Sequence, residues 1–511
     1  MKQEIDDNYK YYCLTFDVID HLYSKGKTEE ALSLGMEAAW FCRYNYSGFY
    51  VDSRLENFLL EVGNKIEILN NGVNTKKAEN KKLKILHVAT EIYDTGGHTR
   101  EFQTWIDFDT GNQHDIVLTN HNHSSIPDFF KQTIEKVDGT IYKFNNSHSF
   151  SERVSFLRNI ADQYNLIALH LHPNDVIPVV AFAKGISTPV AFQNHSDWLF
   201  WVGSSITDYL LELRGSMMEV NKVRRQIEKA SVLPIVISKP EGLSREEARR
   251  MMKVNAGEIV ILAIANNFKI TPLENKNFFE DIIPVLNKNE KVRLYIIGVA
   301  ASSEFGKKYS HPKITYVGLT KDTETYKYAC DIYVDCYPVT SMRAVLEAGL
   351  WMVPVLRMYT PASYSYYNLD GYTYPLYYPK NRAEWQNMLN TYINDAEQRK
   401  EDARKVYVNM VEHHTGDNWL KYLQAFYKET LTIKHSVHPM TSNKNMYTLA
   451  EEDMLEVLRN NVHKNIYLVR FLGNISFKLK LKVLFNSRSF NLHSAKLFVY
   501  YLLGIKEKTA Q

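Results

Sequence analysis

Residues 331–354 read DIYVDCYPVTSMRAVLEAGLWMVP, in which an apolar strand leads through a Pro-Val-Thr-Ser turn into a helix that stops at a glycine. In α/β proteins the carboxyl end of a strand followed by a helix N-terminus is a common binding place for phosphate groups. We expect the backbone N–H groups of Thr340, Ser341 and Met342 to face such an anion. Glu347, two turns into the helix, is expected to reach a neutral hydroxyl. Small residues with one carboxylate also occur where such a helix only packs, so both interpretations stay open.

The composition indicates a large globular chain. Of 511 residues, 45% are apolar and 23% are charged, which is enough material for at least two α/β cores with appendages. The formal net charge of +3 argues against a nucleic-acid partner. No cysteine pair has CxxC spacing, the first residues carry acids and no apolar signal segment, and no apolar run approaches the length of a spanning helix. We therefore expect a reduced, cytoplasmic chain.

The hydrophobic pattern divides the chain into four predicted segments. Residues 1–79 form a helical region and end in a polar linker. Residues 80–237 and 238–432 each alternate apolar runs with helical stretches, which predicts an α/β fold of two tandem Rossmann-like domains. Residues 433–511 form a basic extension. The predicted strands lie at 84–93, 115–120, 140–145, 166–172, 189–195, 232–240, 258–266, 292–300, 314–319, 331–337 and 353–359.

Polar residues and glycines recur where the predicted strands end, which is the edge at which open α/β sheets bind ligands. The first half offers Gly96, Gly97, His170, His172, Asn194, His195 and Asp197, with His98 and Arg100 on the first turn of the first helix. The second half offers Asn266, Asn267, Lys269, Gly298, Gly318 and residues 340–347. We therefore predict a functional cleft to which both halves contribute.

The glycines and histidines also have structural interpretations. Gly96 and Gly97 permit a tight turn, although a glycine pair at the first strand-to-helix junction favours close approach of a ligand to the backbone. His172 could be a hydrogen-bonded loop residue. Because His195 stands at another strand end, a polar pocket is the interpretation that we favour.

The charged candidate residues also have more than one interpretation. Lys269 follows an apolar strand at a position where a cation would meet a phosphate, and Lys276 is its competitor. Asp107 and Asp109 form a DxD pattern that can hold a metal. Here the pattern closes an amphipathic helix instead of following a strand, so we do not favour the metal interpretation.

The segments KILHVATEIYDTGGHTRE, LHLHPN, QNHSD, LYIIG, ITYVG and YKYACDIYVDCYPVTSMRAVLEAGLWMVPVL follow one another from residue 84 to residue 356. With them the sequence resembles the nucleotide-sugar glycosyltransferases of the GT-B fold, and among these the bacterial retaining glycosyltransferase family 4. The resemblance implies a UDP-, GDP- or ADP-sugar donor held mainly by the carboxy-terminal half, with a UDP-sugar expected. It implies an acceptor held by the amino-terminal half, no catalytic metal or other cofactor, and a role in bacterial cell-surface glycan or glycoconjugate synthesis.

The resemblance also implies roles for single residues. Glu347 corresponds to the second glutamate of the family's E-x7-E signature and is expected to bind the donor ribose. Val339 stands where the first glutamate would be, which leaves the sugar and the stereochemical outcome open. The residues expected to bind the donor are Gly96, Gly97, Asn267, Lys269, Lys276, Gly298, Thr340, Ser341 and Glu347. Those expected to bind the acceptor are His98, Arg100, Asn194 and Asp197, and the expected catalytic residues are His172, His195 and Glu347.

Three functional hypotheses follow. In a retaining enzyme the acceptor hydroxyl attacks from the face of the leaving diphosphate, and a lysine with a helix N-terminus stabilises the leaving charge. An inverting enzyme needs a base on the opposite face, for which His172 or His195 is the first candidate. The inverting alternative resembles protein O- or N-glycosyltransferases related to O-GlcNAc transferases. A catalytically inactive scaffold is the third hypothesis, because Val339 and a missing arginine depart from the family.

Two further segments carry weaker predictions. Residues 464–508 hold nine Lys or Arg and one acid, interleaved with apolar residues. This pattern indicates either peripheral contact with anionic lipid at the inner face of the membrane or a solvated lysine face on a docked strand or helix. In the tyrosine-rich loop at 361–379, Tyr366 and Tyr367 are candidates for stacking on an acceptor sugar. The acceptor itself, a glycan, a lipid-linked molecule or a protein, stays open.

Overall fold

The computed structural model describes residues 2–67, 82–94, 97–123, 125–238, 242–273, 276–359, 377–441, 466 and 468–486. The chain divides into two compact units. The first consists of Met1–Leu213, Met217–Ser231 and Ala425–Gln511, and the second of Arg214–Ser216 and Val232–Gln424. The segment boundaries predicted from the sequence stay predictions. Gly96, Tyr366 and Tyr367 lie outside the described residues.

The amino-terminal stretch of the chain alternates strands and helices after three initial helices. In chain order its elements are α1 (Lys2–Ser24), α2 (Thr28–Tyr44), α3 (Ser53–Lys65), β1 (Lys84–Ala89), α4 (Gly97–Phe108), β2 (Gln113–Leu118), α5 (Asp128–Glu135), β3 (Ile141–Lys143), α6 (Phe150–Ala161), β4 (Leu166–His170), α7 (Ile177–Ala181), β5 (Val190–Asn194), β6 (Tyr209–Glu212), α8 (Met218–Arg224) and β7 (Ala230–Val232), with 3-10 turns at Ser204–Ile206 and Gly215–Met217.

A seven-stranded sheet with the order β3-β2-β1-β4-β5-β6-β7 forms the centre of the first unit. Its strands from β3 to β6 pair in parallel, with Ala89 of β1 beside His170 of β4 and Leu169 of β4 beside Phe192 of β5. The strands β1, β4 and β5 are buried on both faces, as is usual for a parallel sheet covered by helices. The residues that follow β1, β4 and β5 therefore emerge at one edge of the sheet.

The first three helices share the hydrophobic core of this sheet instead of forming a separate arm. Residues of α1, α2 and α3 belong to the same buried cluster as residues of β1, β4 and β5. The buried carboxylate of Glu56 on α3 accepts hydrogen bonds from the backbone N–H groups of Gly203, at 2.6 Å, and Ser205, at 3.1 Å. At Gly63 a Cβ would lie 2.3 Å from the carbonyl oxygen of Val180, so only glycine permits this close packing.

The second stretch repeats the alternation. Its elements are α9 (Arg245–Met251), β8 (Ile259–Ile264), α10 (Asn267–Ile270), α11 (Phe278–Lys288), β9 (Val292–Ile297), α12 (Glu304–Lys308), β10 (Ile314–Gly318), α13 (Glu324–Ala329), β11 (Ile332–Val334), α14 (Met342–Leu350), β12 (Val355–Leu356), α15 (Arg382–Asn394), α16 (Ala396–His414) and α17 (Gly416–Thr430). The five strands form a parallel sheet with the order β10-β9-β8-β11-β12. β8 lies at its centre, so the loops after β8 and β11 are neighbours.

The strand predicted at 232–240 is wrong over most of its length. Only Ala230–Val232 is a strand, and residues 233–238 belong to no helix or strand. Their backbone groups bond to helical side chains instead, because Trp419 donates to the carbonyl of Pro234 at 2.7 Å and a ring nitrogen of His414 bonds that of Ile235 at 2.7 Å. The apolar side chains of this run are buried, but the run is not part of a sheet.

The carboxy-terminal extension contributes a 3-10 helix (Leu468–Asn474) and α18 (Phe477–Leu484). The period-two alternation of FKLKLKVLF allowed a strand, yet the segment is helical, with Ser476 as its N-cap. Both elements pack against α1 and the first unit's core. Among the described residues, no helix combines the length and the apolar character that a membrane span requires.

Candidate active site

Three histidines meet at the sheet edge of the first unit. His98 lies on the first turn of α4, His172 follows β4 and His195 follows β5. The ring centroids of His98 and His195 are 4.0 Å apart, and those of His98 and His172 are 5.8 Å apart. The structure thus brings together three of the residues that the sequence singled out. We call them the histidine cluster.

Burial keeps these rings neutral. It lowers the pKa of His195 to about 3 and the pKa of His98 well below its ordinary value, and each ring's proximity to other histidines lowers the pKa further. Burial also lowers the pKa of His172, although the neighbouring carboxylate of Glu91 raises it. Nδ1 of His195 and both ring nitrogens of His98 make no hydrogen bond of standard geometry with the described residues. A neutral imidazole with an open lone pair can accept a proton or a hydrogen bond from a ligand hydroxyl.

Glu91 organises one side of the cluster. Its carboxylate lies 3.5 Å from Nδ1 of His172 and 3.1 Å from Nε2 of His123, and it accepts a hydrogen bond from the hydroxyl of Tyr93. A carboxylate at this place favours the tautomer of His172 that carries its proton on Nδ1, which leaves the Nε2 lone pair available. Sequence reasoning missed Glu91, Tyr93 and His123. They could have been found because they follow β1 and β2 closely, where other strand-end residues were considered.

Buried hydrogen bonds fix the backbone of His172. Its N–H group donates to Oγ1 of Thr90 at 2.8 Å, and that hydroxyl donates to the carboxylate of Asp175 at 2.8 Å. Asp175 also accepts from the backbone N–H of Ile177 at 3.1 Å. The loop after β4 is therefore held in one conformation by buried hydrogen bonds, which suits a residue that must be positioned.

Three residues expected to bind the acceptor lie in other contacts. The guanidinium of Arg100 stacks on the ring of Phe129 at 3.5 Å. Asn194 is fully buried, and its Nδ2 donates to Glu212 at 2.6 Å. Asp197 is buried. Arg100 and Asn194 in particular serve packing and internal bonding here, which does not fit the predicted acceptor contacts. Of the predicted acceptor residues, His98 is the one that joins the histidine cluster.

A chain of three further histidines crosses the sheet below the cluster. His87 on β1 lies 2.9 Å from a ring nitrogen of His170 and 2.9 Å from one of His114, and Nε2 of His114 donates to the carbonyl of Asp109 at 3.0 Å. Because a carbonyl only accepts, Nε2 of His114 is the donor of this bond, and neutral rings would each donate from Nε2 in the same direction, toward Asp109. Burial lowers the pKa of His170 to about 3 and that of His87 well below its ordinary value.

The DxD residues have separate structural contacts. Asp107 accepts from the hydroxyl of Thr133 at 3.0 Å, and Asp109 accepts from the hydroxyl of Tyr427 at 2.5 Å. No group of three or more His, Cys, Asp or Glu that could hold a metal ion occurs in the described part of the chain.

In the second unit, Lys269 lies against the turn that precedes α14. Its Nζ donates to Oγ of Ser341 at 2.8 Å and to the carbonyl of Thr340 at 3.1 Å. Burial lowers the pKa of Lys269 from its ordinary value. A protonated amine has three N–H groups, and these two bonds use two of them. Lys269 and the two residues of the turn are called the lysine–serine site below.

Part of the predicted anion-binding backbone is occupied by the protein itself. The backbone N–H of Ser341 points to the carboxylate of Asp335 at 3.3 Å, and the hydroxyl of Thr340 donates to the same carboxylate at 2.6 Å. Asp335 is also paired with the buried guanidinium of Arg357, 3.0 Å away. The expectation that the N–H of Ser341 faces a ligand is therefore not met. Among the described residues, the N–H groups of Thr340 and Met342 have no hydrogen-bond acceptor.

Glu347 is paired with two cations. Its carboxylate lies 2.8 Å from Nζ of Lys327 and 3.1 Å from Nε of Arg343, and its side chain is 18% exposed. Burial lowers the pKa of Lys327, but Glu347 and Glu324 raise it more, so the net shift is upward. Sequence reasoning missed both cations. Arg343 stands one helical turn before Glu347, which is the ordinary spacing of a helical ion pair.

The other predicted donor residues differ in their exposure and in their backbone contacts. Gly97 and Asn267 are exposed at the starts of α4 and α10, in the first and second unit respectively. Lys276 is partly buried, and its backbone bonds to that of Leu273. Gly298 has a φ of +95°, and a Cβ there would lie 2.3 Å from the carbonyl oxygen of Ala265. Val339 is buried and presents no polar group where the family has a glutamate.

Comparison with known proteins places this architecture. No family model matches the chain, and no curated protein matches it. Among solved structures, HepE of Anabaena in complex with UDP and glucose is 15% identical, covering 68% of this chain and all of that chain with a TM-score of 0.51. A glycosyltransferase of Rickettsia africae is 14% identical, covering 69% of this chain and 99% of that one with a TM-score of 0.53.

The protein has the GT-B fold. This confirms the fold class predicted from the sequence. The histidine cluster lies in the first of the two units, and the lysine–serine site lies in the second. At these identities the likeness concerns the fold, so the function must be argued from the residues of this chain.

Proposed function

We propose that this GT-B protein is a glycosyltransferase that moves a sugar from a nucleotide-sugar donor, a UDP-sugar first of all, to an acceptor hydroxyl. The observation that carries the proposal is the lysine–serine site. A lysine and the N-terminus of α14 lie together at strand ends, with a cation-paired glutamate two turns along the same helix. The neighbouring GT-B structure of HepE was solved with UDP and glucose, which supports this choice of ligand.

For the donor, we propose that the diphosphate lies against Lys269 and the N-terminal turn of α14. The remaining N–H of the ammonium and the amides of Thr340 and Met342 supply positive ends of dipoles, so charge that builds on the leaving diphosphate is stabilised there. Asp335 limits this site, because its carboxylate occupies the N–H of Ser341. The proposal therefore rests on Lys269 more than on the complete turn.

Glu347 is proposed to bind the ribose of the donor. Lys327 and Arg343 pair with the carboxylate and fix its orientation. A carboxylate has about four lone-pair positions, so these two partners leave acceptor capacity for a ribose hydroxyl. This arrangement fits neutral hydroxyls better than phosphate, which the carboxylate would repel.

For the acceptor and the stereochemistry, we propose the retaining outcome of the family that the sequence resembles, with no catalytic metal. The acceptor hydroxyl attacks from the face of the departing diphosphate, and an oxygen of that diphosphate takes the proton. A glycan or lipid-linked acceptor in bacterial cell-surface synthesis is part of the same proposal, and the first unit is proposed to bind it.

One observation favours an inverting alternative. His172 is neutral, is oriented by Glu91 and is fixed through its backbone, which are the properties of a general base. Val339 in place of the family's first glutamate removes a residue associated with the retaining enzymes. Analysis of the anomeric configuration of the product distinguishes the two outcomes.

The first experiment is thermal unfolding of the full-length protein with UDP, GDP, ADP and their sugar conjugates. A ligand that binds only the folded state at a hundred times its Kd stabilises it by about 2.7 kcal/mol, which raises the midpoint by several degrees. We expect UDP compounds to shift the wild type, and Glu347→Ala to reduce that shift.

Glu324→Ala is the matched control, because Glu324 also pairs with Lys327, at 3.1 Å, but lies at the surface. Its removal should leave the UDP shift intact. Release of UDP from a UDP-sugar, with the product examined by NMR, then tests catalysis. If no nucleotide or nucleotide sugar shifts the midpoint of the wild type, the proposed donor site is wrong and the inactive-scaffold hypothesis is favoured.

A further inference from the structure

Helix α18 (Phe477–Leu484) has one face buried on the protein. Leu479, Val483 and Leu484 are buried and belong to the core cluster of the first unit. Ser476 caps the helix by accepting from the N–H of Leu479 at 3.4 Å. The helix therefore packs on the protein through its inner face, and its outer face is exposed.

The outer face is apolar where a surface helix is normally polar. Phe477 is 67% exposed and Phe485, the residue that follows the helix, is 84% exposed. Leu481, partly exposed, lies midway between them, so the three residues follow one another at a spacing of four and form a single row along the helix. We call this row the phenylalanine ridge. Burying the inner face does not require it, because α18 already packs through other residues.

Lysines flank the ridge on both sides. Lys478 and Lys482 follow Phe477 and Leu481 by one position, and Lys480 precedes Leu481 by one. Lys482 pairs with Asp17 at 3.2 Å. In the described part of the chain, Lys478 and Lys480 have no carboxylate partner. An exposed apolar row between cations has the chemistry of a surface that lies in the boundary between lipid headgroups and acyl chains.

We propose that the phenylalanine ridge docks the protein on an anionic lipid bilayer, with Phe477 and Phe485 entering the headgroup boundary and the lysines meeting the lipid phosphates. The ridge projects from the surface, so it fits a deformable lipid layer. Aromatic rings between cations are the usual composition of such contacts. This assigns the membrane contact to α18, and it does not depend on the proposed transferase activity.

The test is co-sedimentation of the full-length protein with vesicles of phosphatidylcholine, with and without phosphatidylglycerol. We expect binding to the anionic vesicles only, and weaker binding as salt rises from about 0.1 M to about 1 M, because screening shortens the range of the charges. The double substitution Phe477→Ser with Phe485→Ser should weaken binding to the anionic vesicles by about tenfold or more.

The matched control replaces two exposed apolar residues far along the sequence, Leu319→Ser with Met251→Ser, and should bind like the wild type. The thermal midpoint of each double variant should equal that of the wild type, since all four side chains are exposed. Absence of wild-type binding to anionic vesicles, or equal binding by the ridge variant, overturns the proposal. So does a wild-type dimer in light scattering that becomes a monomer in the ridge variant, because a second copy would then cover the ridge.

Discussion

The carboxylate of Glu91 lies 3.5 Å from Nδ1 of His172, so that a strand-end acid directs a strand-end imidazole. The same carboxylate accepts from Tyr93 and contacts His123. Burial lowers the pKa of His172, and Glu91 partly restores it. The pair has the arrangement of a base and the residue that positions it.

Glu91→Gln removes this charge at nearly constant size. If His172 acts as the base, the transfer rate should fall by about tenfold to a hundredfold with little change in donor KM. Because the carboxylate raises the pKa of His172, its loss lowers that pKa, and the acidic limb of the kcat/KM profile should move to lower pH. The measurement is the pH dependence of sugar transfer.

The control for this variant is His123→Gln, which removes the other imidazole at Glu91 and leaves the Glu91–His172 contact in place. It should transfer sugar at nearly the wild-type rate. An unchanged rate and pH profile in Glu91→Gln would show that His172 does not carry the proton and would favour the retaining route.

The sequence offers Lys269 for the phosphate contact, with Lys276 as its competitor, and substitution to methionine distinguishes them. Lys269→Met should weaken UDP binding by about tenfold, or about 1.4 kcal/mol, because Nζ of Lys269 bonds Ser341 and Thr340 in the turn before α14. Lys276→Met is the control and should bind UDP like the wild type. Titration calorimetry measures both, and the reverse ranking would move the phosphate site to Lys276.

The buried histidines predict acid sensitivity. Folding lowers the pKa of His170 and of His195 to about 3, whereas the value in the unfolded chain is near 6.5. Below about pH 6.5 the unfolded chain binds more protons than the folded one, so the stability is complete above this pH and is lost as the pH falls toward 3. One such histidine costs about 2 kcal/mol between pH 6.5 and pH 5.

Urea denaturation at about pH 7, 6 and 5 checks this sign, and the unfolding free energy should fall at each step. His87→Leu should destabilise the protein by about 2 to 4 kcal/mol at neutral pH, because it leaves ring nitrogens of His114 and His170 without partners. The largely exposed His123 replaced by alanine should change stability by less than about 0.5 kcal/mol. An unfolding free energy that is constant from pH 7 to pH 5 would contradict the lowered pKa values of the buried histidines.

Two glycines with left-handed backbone offer a paired test of close packing. Gly298 has a φ of +95° and no room for a Cβ, whereas Gly257 has a φ of +72° and open space. Gly257→Ala should cost about 1 kcal/mol from the backbone alone. Gly298→Ala should cost about 3 kcal/mol or more, because strain and the contact with Ala265 add. Chemical denaturation measures the unfolding free energy of both variants. Equal losses of stability would show that the loop after β9 moves to make room for the added Cβ.

Much of the fold could be predicted because its signals are local. Apolar runs that alternate with helical stretches mark a doubly wound fold, and β1, β4, β8 and β11 appear where expected. The segment after β7 was predicted to be a strand and is not one. The backbone of a buried apolar run can bond either to a neighbouring strand or to side chains, and only the tertiary structure decides which. The same holds for α18, whose period-two pattern is compatible with a helix docked by one face.

The site was only partly predictable. Strand ends locate His98, His172 and His195 together, since the topology brings adjacent strand ends to one edge. The partners of Glu347 and of the Ser341 amide were not predicted. Lys327 lies on another helix, α13, and Asp335 directly follows β11. The sequence of a motif does not show which side chain reaches which backbone group.

The buried carboxylate of Glu56 has a consequence for biosynthesis. Its hydrogen-bond partner Gly203 lies 147 residues farther along the chain. At a synthesis rate of about 5 to 20 residues per second, α3 leaves the ribosome roughly 7 to 30 seconds before that partner exists. During this time β1 to β5, whose residues share a core with the first three helices, are synthesised one after another. The hydrogen bonds of the Glu56 carboxylate to Gly203 and Ser205 can therefore form only after most of the first sheet has been synthesised.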